Sequence, residues 1–181
     1  MHKIQNRMNQ ELLDWCLLQA SEFAIIIGAK RYLKKAARLI ADGANAEVLE
    51  DYEKKNLMHL AARYGTPDMV PLFVKAGCDV NGRNINDWTP ISTAIMAHRP
   101  DMARAFVAAG TDLEKQVVML WTALHVAVYH GTPEIVKIVA EAGGNEQARD
   151  YRGDTPLKLA ERHKKSASAA YLRNSGPALA V

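Results

Sequence analysis

Six histidines, two cysteines and twenty Asp and Glu residues supply the groups from which a catalytic or metal-binding site could be assembled. His59 and His125 invite attention first. They sit in Leu57-Met58-His59-Leu60-Ala61-Ala62 and Ala123-Leu124-His125-Val126-Ala127-Val128, two stretches of one design. A shared metal ion would need both imidazoles within about 2 Å of it. His130 and His163 occupy a second matching position near the end of a helix and read as exposed. Cys16 and Cys78 have unrelated surroundings without metal-ligand spacing, so they read as reduced thiols. No nucleophile with a nearby base, no glycine-rich phosphate loop and no paired carboxylates with a plausible pocket appear. The sequence therefore predicts neither an enzyme nor a cofactor or metal site. The side chains left with chemical character are aromatic and arginine residues, whose chemistry is recognition: they bury large area at small entropic cost.

Short helices must position them. Residues 121–143 hold two, each with its own signals. Thr122 and Thr132 suit the caps, because a threonine hydroxyl accepts an exposed N–H of the first turn. Pro133 fits the first helical position and Glu134 the positive end of the helix dipole. Gly131 and Gly143 read as left-handed stops. Helices this short are not stable alone, so they must stack on copies of themselves, and the chain supplies the copies. Asn56, Thr89, Thr122 and Thr155 open equivalent segments spaced by 33 residues. Pro67, Pro100 and Pro133 keep that spacing, with Ser166 next, and Gly43, Gly77, Gly110, Gly143 and Gly176 run at 34, 33, 33 and 33. Three independent landmarks with one period predict a repeat array. On it, His59 and His125 stand two repeats apart, on the order of 20 Å if stacked helices are ~10 Å thick, too far to share a metal.

At these residues the sequence resembles the ankyrin-repeat family, whose motif reads T-P-L-H-x-A-A, then G, a second helix, and G-A-D-x-N. The two histidine stretches carry the first part, and Gly77-Cys78-Asp79-Val80-Asn81 the last. The resemblance covers about residues 22–176. It implies an all-α ankyrin-repeat solenoid of stacked helix-turn-helix units, with β-hairpin fingers along one edge. It also implies protein–protein binding through the fingers and the concave helix face, with no catalytic residues. The histidine slot it implies is structural: the imidazole bonds backbone and threonine groups of adjoining turns.

The longest apolar run, residues 23–27, is far too short to span a bilayer. Asn9-Gln10-Glu11 interrupts a signal-peptide reading, and cytoplasmic residence is the expectation. The net charge of +3 is spread unevenly. Residues 150–181 hold six Lys/Arg against three Asp/Glu, while residues 51–149 hold ten against eleven. No sustained basic stripe exists for nucleic acid.

Residues 1–21 read as an N-terminal helix (9–20) capping the array, 22–176 as the repeat domain and 177–181 as a loose tail. Repeats are expected at about 22–50, 51–83, 84–116, 117–149 and 150–176. The first is degenerate, with helices expected at 22–29 and 33–42 and a solvated basic face of Lys30, Arg31, Lys34, Lys35 and Arg38. Pro71, four residues after Pro67, predicts a bend. His98 stands where neighbouring repeats carry Gly65 and Gly131, and would be strained if left-handed.

The finger residues and the last turn of each first helix are free of packing duty, and six of the nine Trp and Tyr residues fall there. The expected partner-binding residues are Tyr52, Arg63, Tyr64, Trp88, Met96, Val118, Met119, Trp121, Tyr129, His130, Tyr151 and Arg152. Trp88 and Trp121 stand in register, 33 apart, and could stack on each other. Val117-Val118-Met119-Leu120 is the oddest finger, since hairpin tips are normally polar and rich in glycine. It should pack on its neighbours or await a partner, and the latter is the expectation. The function expected is a binding module that inhibits or sequesters another protein. A scaffold or adaptor, or a pathogen-encoded host-directed effector, is the alternative. Nucleic-acid binding through Arg63, Arg152 and Arg162, and self-association through the 117–120 finger of an otherwise monomeric chain, are further ones.

Overall fold

A computed structural model of the chain describes Arg7, residues 24–42 and residues 51–175. The expected N-terminal capping helix, Cys16, Gly43, Gly176 and the tail lie outside the described residues. Among the described residues the fold is all-α, with nine α-helices and one short 3-10 turn.

Helix α1 (Ala24–Ala41) stands first. Four helix pairs follow: α2 (Asp51–Tyr64) with α3 (Met69–Lys75), α4 (Pro90–Met96) with α5 (Pro100–Ala108), α6 (Ala123–His130) with α7 (Pro133–Glu141), and α8 (Pro156–Arg162) with α9 (Ser166–Ser175). First helices pack on first helices (α2, α4, α6, α8) and second on second (α3, α5, α7, α9), which makes a two-layered stack. α1 packs on α2 and α3 at the open end, burying Leu33, Ala36, Leu39 and Ile40 and leaving Lys34 and Arg38 in water. The 33-residue period is also the period of the core. Met58, Ile91 and Leu124 recur in the first-helix layer, and Phe73, Phe106, Val139 and Leu172 in the second, all buried. Each short helix thus buries its apolar face only against its neighbours.

The threonine caps form. Thr89, Thr132 and Thr155 accept from the N–H groups of Ser92, Ile135 and Lys158. His125 completes the cap at Thr122. Its Nε2 lies 3.1 Å from the carbonyl of Asp154, an acceptor only, so Nε2 carries the proton. Nδ1 is then free to accept from Thr122, whose Oγ1 is 3.0 Å away. His59 works alike, with Nε2 3.1 Å from Gly82 O and Nδ1 2.8 Å from Thr93 Oγ1. Each histidine bonds the next repeat. Burial holds both imidazoles below their ordinary pKa, against the opposing pull of those carbonyls.

Several expectations need correcting. The first repeat is not a helical pair: α1 runs unbroken through residues 30–32, where no Gly or Pro interrupts it. The second repeat has no finger at 51–56, since those residues are the first turns of α2. Pro71 does not bend α3. The α-helix starts late, at Met69, behind turns closed by Met69 N to Thr66 O and Val70 N to Pro67 O, so Pro71 falls in the first turn, where its missing N–H costs nothing. Gly143 is left-handed (φ 94°), but Gly131 is not (φ −80°). Gly131 is there for space: a Cβ would come within 2.5 Å of Ala127 O, and at Gly65 within 2.8 Å of Ala61 O. Where the slot holds a side chain instead, as at His98 and Lys164, the backbone turns left-handed (φ 53° and 56°). Crossed bonds from residues 98 and 99, and from 164 and 165, then close those helix ends. The fingers are tight loops each closed by a main-chain bond, without a strand among the described residues.

Candidate partner-binding site

Three fingers project in register. The third-repeat finger is closed by Asn84 N to Trp88 O (3.0 Å), the fourth by Val117 N to Trp121 O (2.8 Å) and the fifth by Asp150 N to Asp154 O (3.0 Å). In the third, Asn84 Oδ1 accepts from the N–H groups of Asn86 and Trp88, and in the fifth Asp150 Oδ1 accepts from those of Arg152 and Asp154. The fourth has Val117 in that slot, with no side-chain acceptor to offer. Its turn is instead the 3-10 segment Val118–Leu120, in which Met119 and Leu120 are both left-handed (φ 65° and 58°). Asp87 and Gly153 fill the Leu120 slot in the other fingers, also left-handed. Two consecutive bulky residues in that region are strained. Val117 is buried, whereas Val118, Met119 and Leu120 are exposed, the last two by 49 % each. The finger is held from both sides: Arg83 donates to Gln116 O and pairs with Asp87, and Tyr151 N–H donates to Met119 O (3.1 Å).

Behind the fingers, the last turns of α6 and α8 carry a cluster of rings. His130 contacts both tryptophans, with centroids 6.2 Å from Trp88 and 6.0 Å from Trp121. Each tryptophan meets the same imidazole edge to face, and no ring contact joins the two tryptophans to each other among the described residues. Tyr129 contacts Trp121 (4.9 Å), His130 (4.7 Å) and His163 (4.7 Å). Burial lowers the His130 pKa, helped by the charges of Lys165 and His98. Trp121 is 6 % exposed and its Nε1–H points at Asp150 Oδ2, 3.4 Å away. It is a core ring, not the solvent-facing contact expected. Burial pushes the Asp150 carboxyl up, but the N–H donors of Asp154, Arg152 and Trp121 outweigh it and hold it below the usual range. Arg162 Nη1 stands 2.5 Å from Asp154 Oδ2.

These parts enclose a groove of about 290 Å³. It is lined by Trp88 from the third repeat, by Val118, Met119, Trp121, Tyr129 and His130 from the fourth, and by Tyr151 and Arg152 from the fifth. Eight of the twelve expected residues thus come together. The other four lie elsewhere. Tyr52 is in the first turn of α2. Arg63 and Tyr64 end that helix, with the guanidinium 5.5 Å from the Tyr64 ring centroid. Met96 is half-buried at the end of α4. The groove also takes in Asp150, Leu159, Arg162 and His163. Asp150 stands two 33-residue periods after Asn84 and holds its finger by the same pair of N–H bonds, a role legible from that register. Among the described residues no group of three or more His, Cys, Asp or Glu could hold a metal ion, and no helix is long and apolar enough to cross a membrane.

Comparison with known families agrees with the architecture. A model of three ankyrin-repeat copies matches residues 24–117, and a single-repeat model matches residues 119–151. No curated protein matches the chain. The last helix pair extends beyond the matched stretches and continues the same two layers. With matched repeats over most of its length, and stacked pairs joined by the motif histidines His59 and His125, each bonded to the repeat that follows, the chain belongs to the ankyrin-repeat family.

Proposed function

We propose that the chain binds a partner protein across the groove between its third, fourth and fifth fingers, and that it inhibits or sequesters this partner by covering its surface. Ankyrin repeats are generally protein–protein interaction modules and typically non-enzymatic. The observation that carries the specific reading is the fourth finger. Left-handed backbone at a non-glycine residue costs on the order of 1–3 kcal/mol, and here it is accepted twice in succession at residues that then stand half in water. Apolar side chains held out in this way, beside an aromatic groove, favour a protein surface as their occupant. The stacking of the described residues into one array supports a steric effect on the partner.

The test is affinity capture from extracts of the native cell with the unaltered chain, Met119→Asp and Tyr129→Ala, followed by assay of the captured protein's activity with and without stoichiometric chain. A partner retained by the unaltered chain, lost from both variants and silenced when bound supports the reading. Capture indifferent to both substitutions places the interface elsewhere. Self-association that disappears in Met119→Asp, seen by sedimentation at two concentrations, would make the occupant a second copy.

A further inference from the structure

We infer that the groove takes an extended segment of its partner in which a bulky apolar side chain is accompanied, a few residues away, by carboxylates. The inference rests on the partner-binding reading and adds the chemistry of the occupant. The groove has two unlike ends. At the third and fourth repeats its wall is Trp88, Val118, Met119, Trp121, Tyr129 and His130, apolar and aromatic side chains with no carboxylate, lysine or arginine among them. At the fifth repeat the wall includes Arg152 and Arg162, and Lys165 stands close enough for its charge to act on His130.

The acids at that end face inward. Asp150 and Asp154 are buried. The carboxylate of Asp150 is taken up by the N–H groups of Arg152 (2.8 Å), Asp154 (2.9 Å) and Trp121 (3.4 Å), and that of Asp154 faces Arg162. Arg162 is taken up by that ion pair, and Arg152 is the groove cation left open. Arg152 has no ion pair among the described residues. Its Nε donates to Tyr151 Oη, its guanidinium lies 5.2 Å from the Tyr151 ring centroid, and its Nη groups are unengaged among those residues. A guanidinium oriented on a ring with its remaining donors open is suited to the fork of a carboxylate. Residues 150–181 carry six Lys/Arg against three Asp/Glu, and two of those three acids are the buried pair, so the charge offered to a ligand is positive. The bond from Tyr151 N–H to Met119 O locks the apolar finger to the basic one, so the spacing between the two ends is set before binding. A peptide fits this polarity better than a nucleic acid does. Val118, Met119 and Leu120 offer a phosphate no donor and a base no ring, whereas a nucleic acid brings a charge at every nucleotide.

A phage-displayed library of random peptides about ten residues long, enough in extended form to cross three repeats, is panned on the full chain. The enriched sequences should pair an aromatic or long aliphatic residue with Asp or Glu. Synthetic copies should bind about tenfold more weakly to Met119→Asp and to Arg152→Glu, the second loss shrinking in high salt. Thermal melts of both variants confirm folding. Enriched peptides that need Met119 but are basic or uncharged would overturn this inference and leave the partner-binding groove standing. No enrichment, or binding indifferent to both substitutions, would overturn both. A short oligothymidine held more tightly than any peptide and released by Arg152→Glu would overturn it in favour of nucleic acid.

Discussion

Replacing Trp121 by alanine should damage the fold before it damages binding. The ring is 6 % exposed, packs on Tyr129 at 4.9 Å and reaches Asp150 through Nε1. A tryptophan buries roughly 200 Å², which at about 25 cal/mol per Å² is near 5 kcal/mol. Residual burial in the unfolded chain trims that figure, and measured Trp→Ala losses of about 3–5 kcal/mol agree. At about 2–4 °C per kcal/mol for a chain of this size, a 4 kcal/mol loss lowers the melting temperature by roughly 8–16 °C. The loss should not be uniform. Each repeat touches only its neighbours, so the opening falls on the fourth and fifth repeats while the α2–α5 end keeps its contacts. Circular dichroism melts measure the total, and amide hydrogen exchange measures its distribution, with protection falling in α6 to α9 and holding in α4 and α5. Trp121→Phe keeps most of the area and loses only the indole donor, for about 1 kcal/mol. An alanine variant that melts with the unaltered chain, or that loses protection evenly from α2 to α9, would refute the assignment of Trp121 as a core ring.

Met119→Asp removes an exposed apolar side chain, so it should leave the melting temperature within a few degrees while weakening a captured partner by about tenfold or more, by titration calorimetry; unchanged affinity would remove this finger from the interface. Gly131→Ala places a Cβ 2.5 Å from Ala127 O, and its escape is the left-handed end used at His98 and Lys164. That conformation costs about 1–2 kcal/mol, offset by about 0.4–1 kcal/mol from the stiffer unfolded chain, so urea titration should show a net loss near 1 kcal/mol; a loss above about 3 kcal/mol would mean the repeat cannot switch. Burial holds His59 and His125 below the ordinary 6.5. The unfolded chain therefore binds more protons than the folded one between the lowered values and 6.5. Their contribution is complete above 6.5 and lost as the pH falls through the folded values, and urea midpoints taken downward from about pH 8 should drop in that window; a flat profile would contradict the neutral, doubly bonded imidazoles.

The array was legible because its signals are periodic and local. A Thr-Pro cap, a glycine and a buried Phe73, Phe106, Val139 and Leu172 each need only their own repeat and its neighbour, and each recurs at 33 residues. What the sequence hid is of two kinds. Where the motif decays, periodicity has no grip: residues 30–32 and 51–56 match expected turns by position, yet contain nothing that breaks a helix. Register also does not say which way a ring turns. Trp88 and Trp121 share a slot, but the first is half-buried and the second lies inside, because Asp150 of the next repeat offers the Trp121 indole an acceptor. The odd composition of the fourth finger was plain; its extra left-handed residue, Met119, goes with a missing Asx side chain at Val117, which only comparison with Asn84 and Asp150 exposes.

The hydrogen bond from Tyr151 to Met119 has a consequence for transplantation. The contour of the greasy loop is dictated by the module after it, so a single repeat moved into another solenoid would arrive without its mould. A graft that keeps the surface must carry residues 117–154 together, and selection acting on the fifth repeat can reshape what the fourth displays without altering any of its letters.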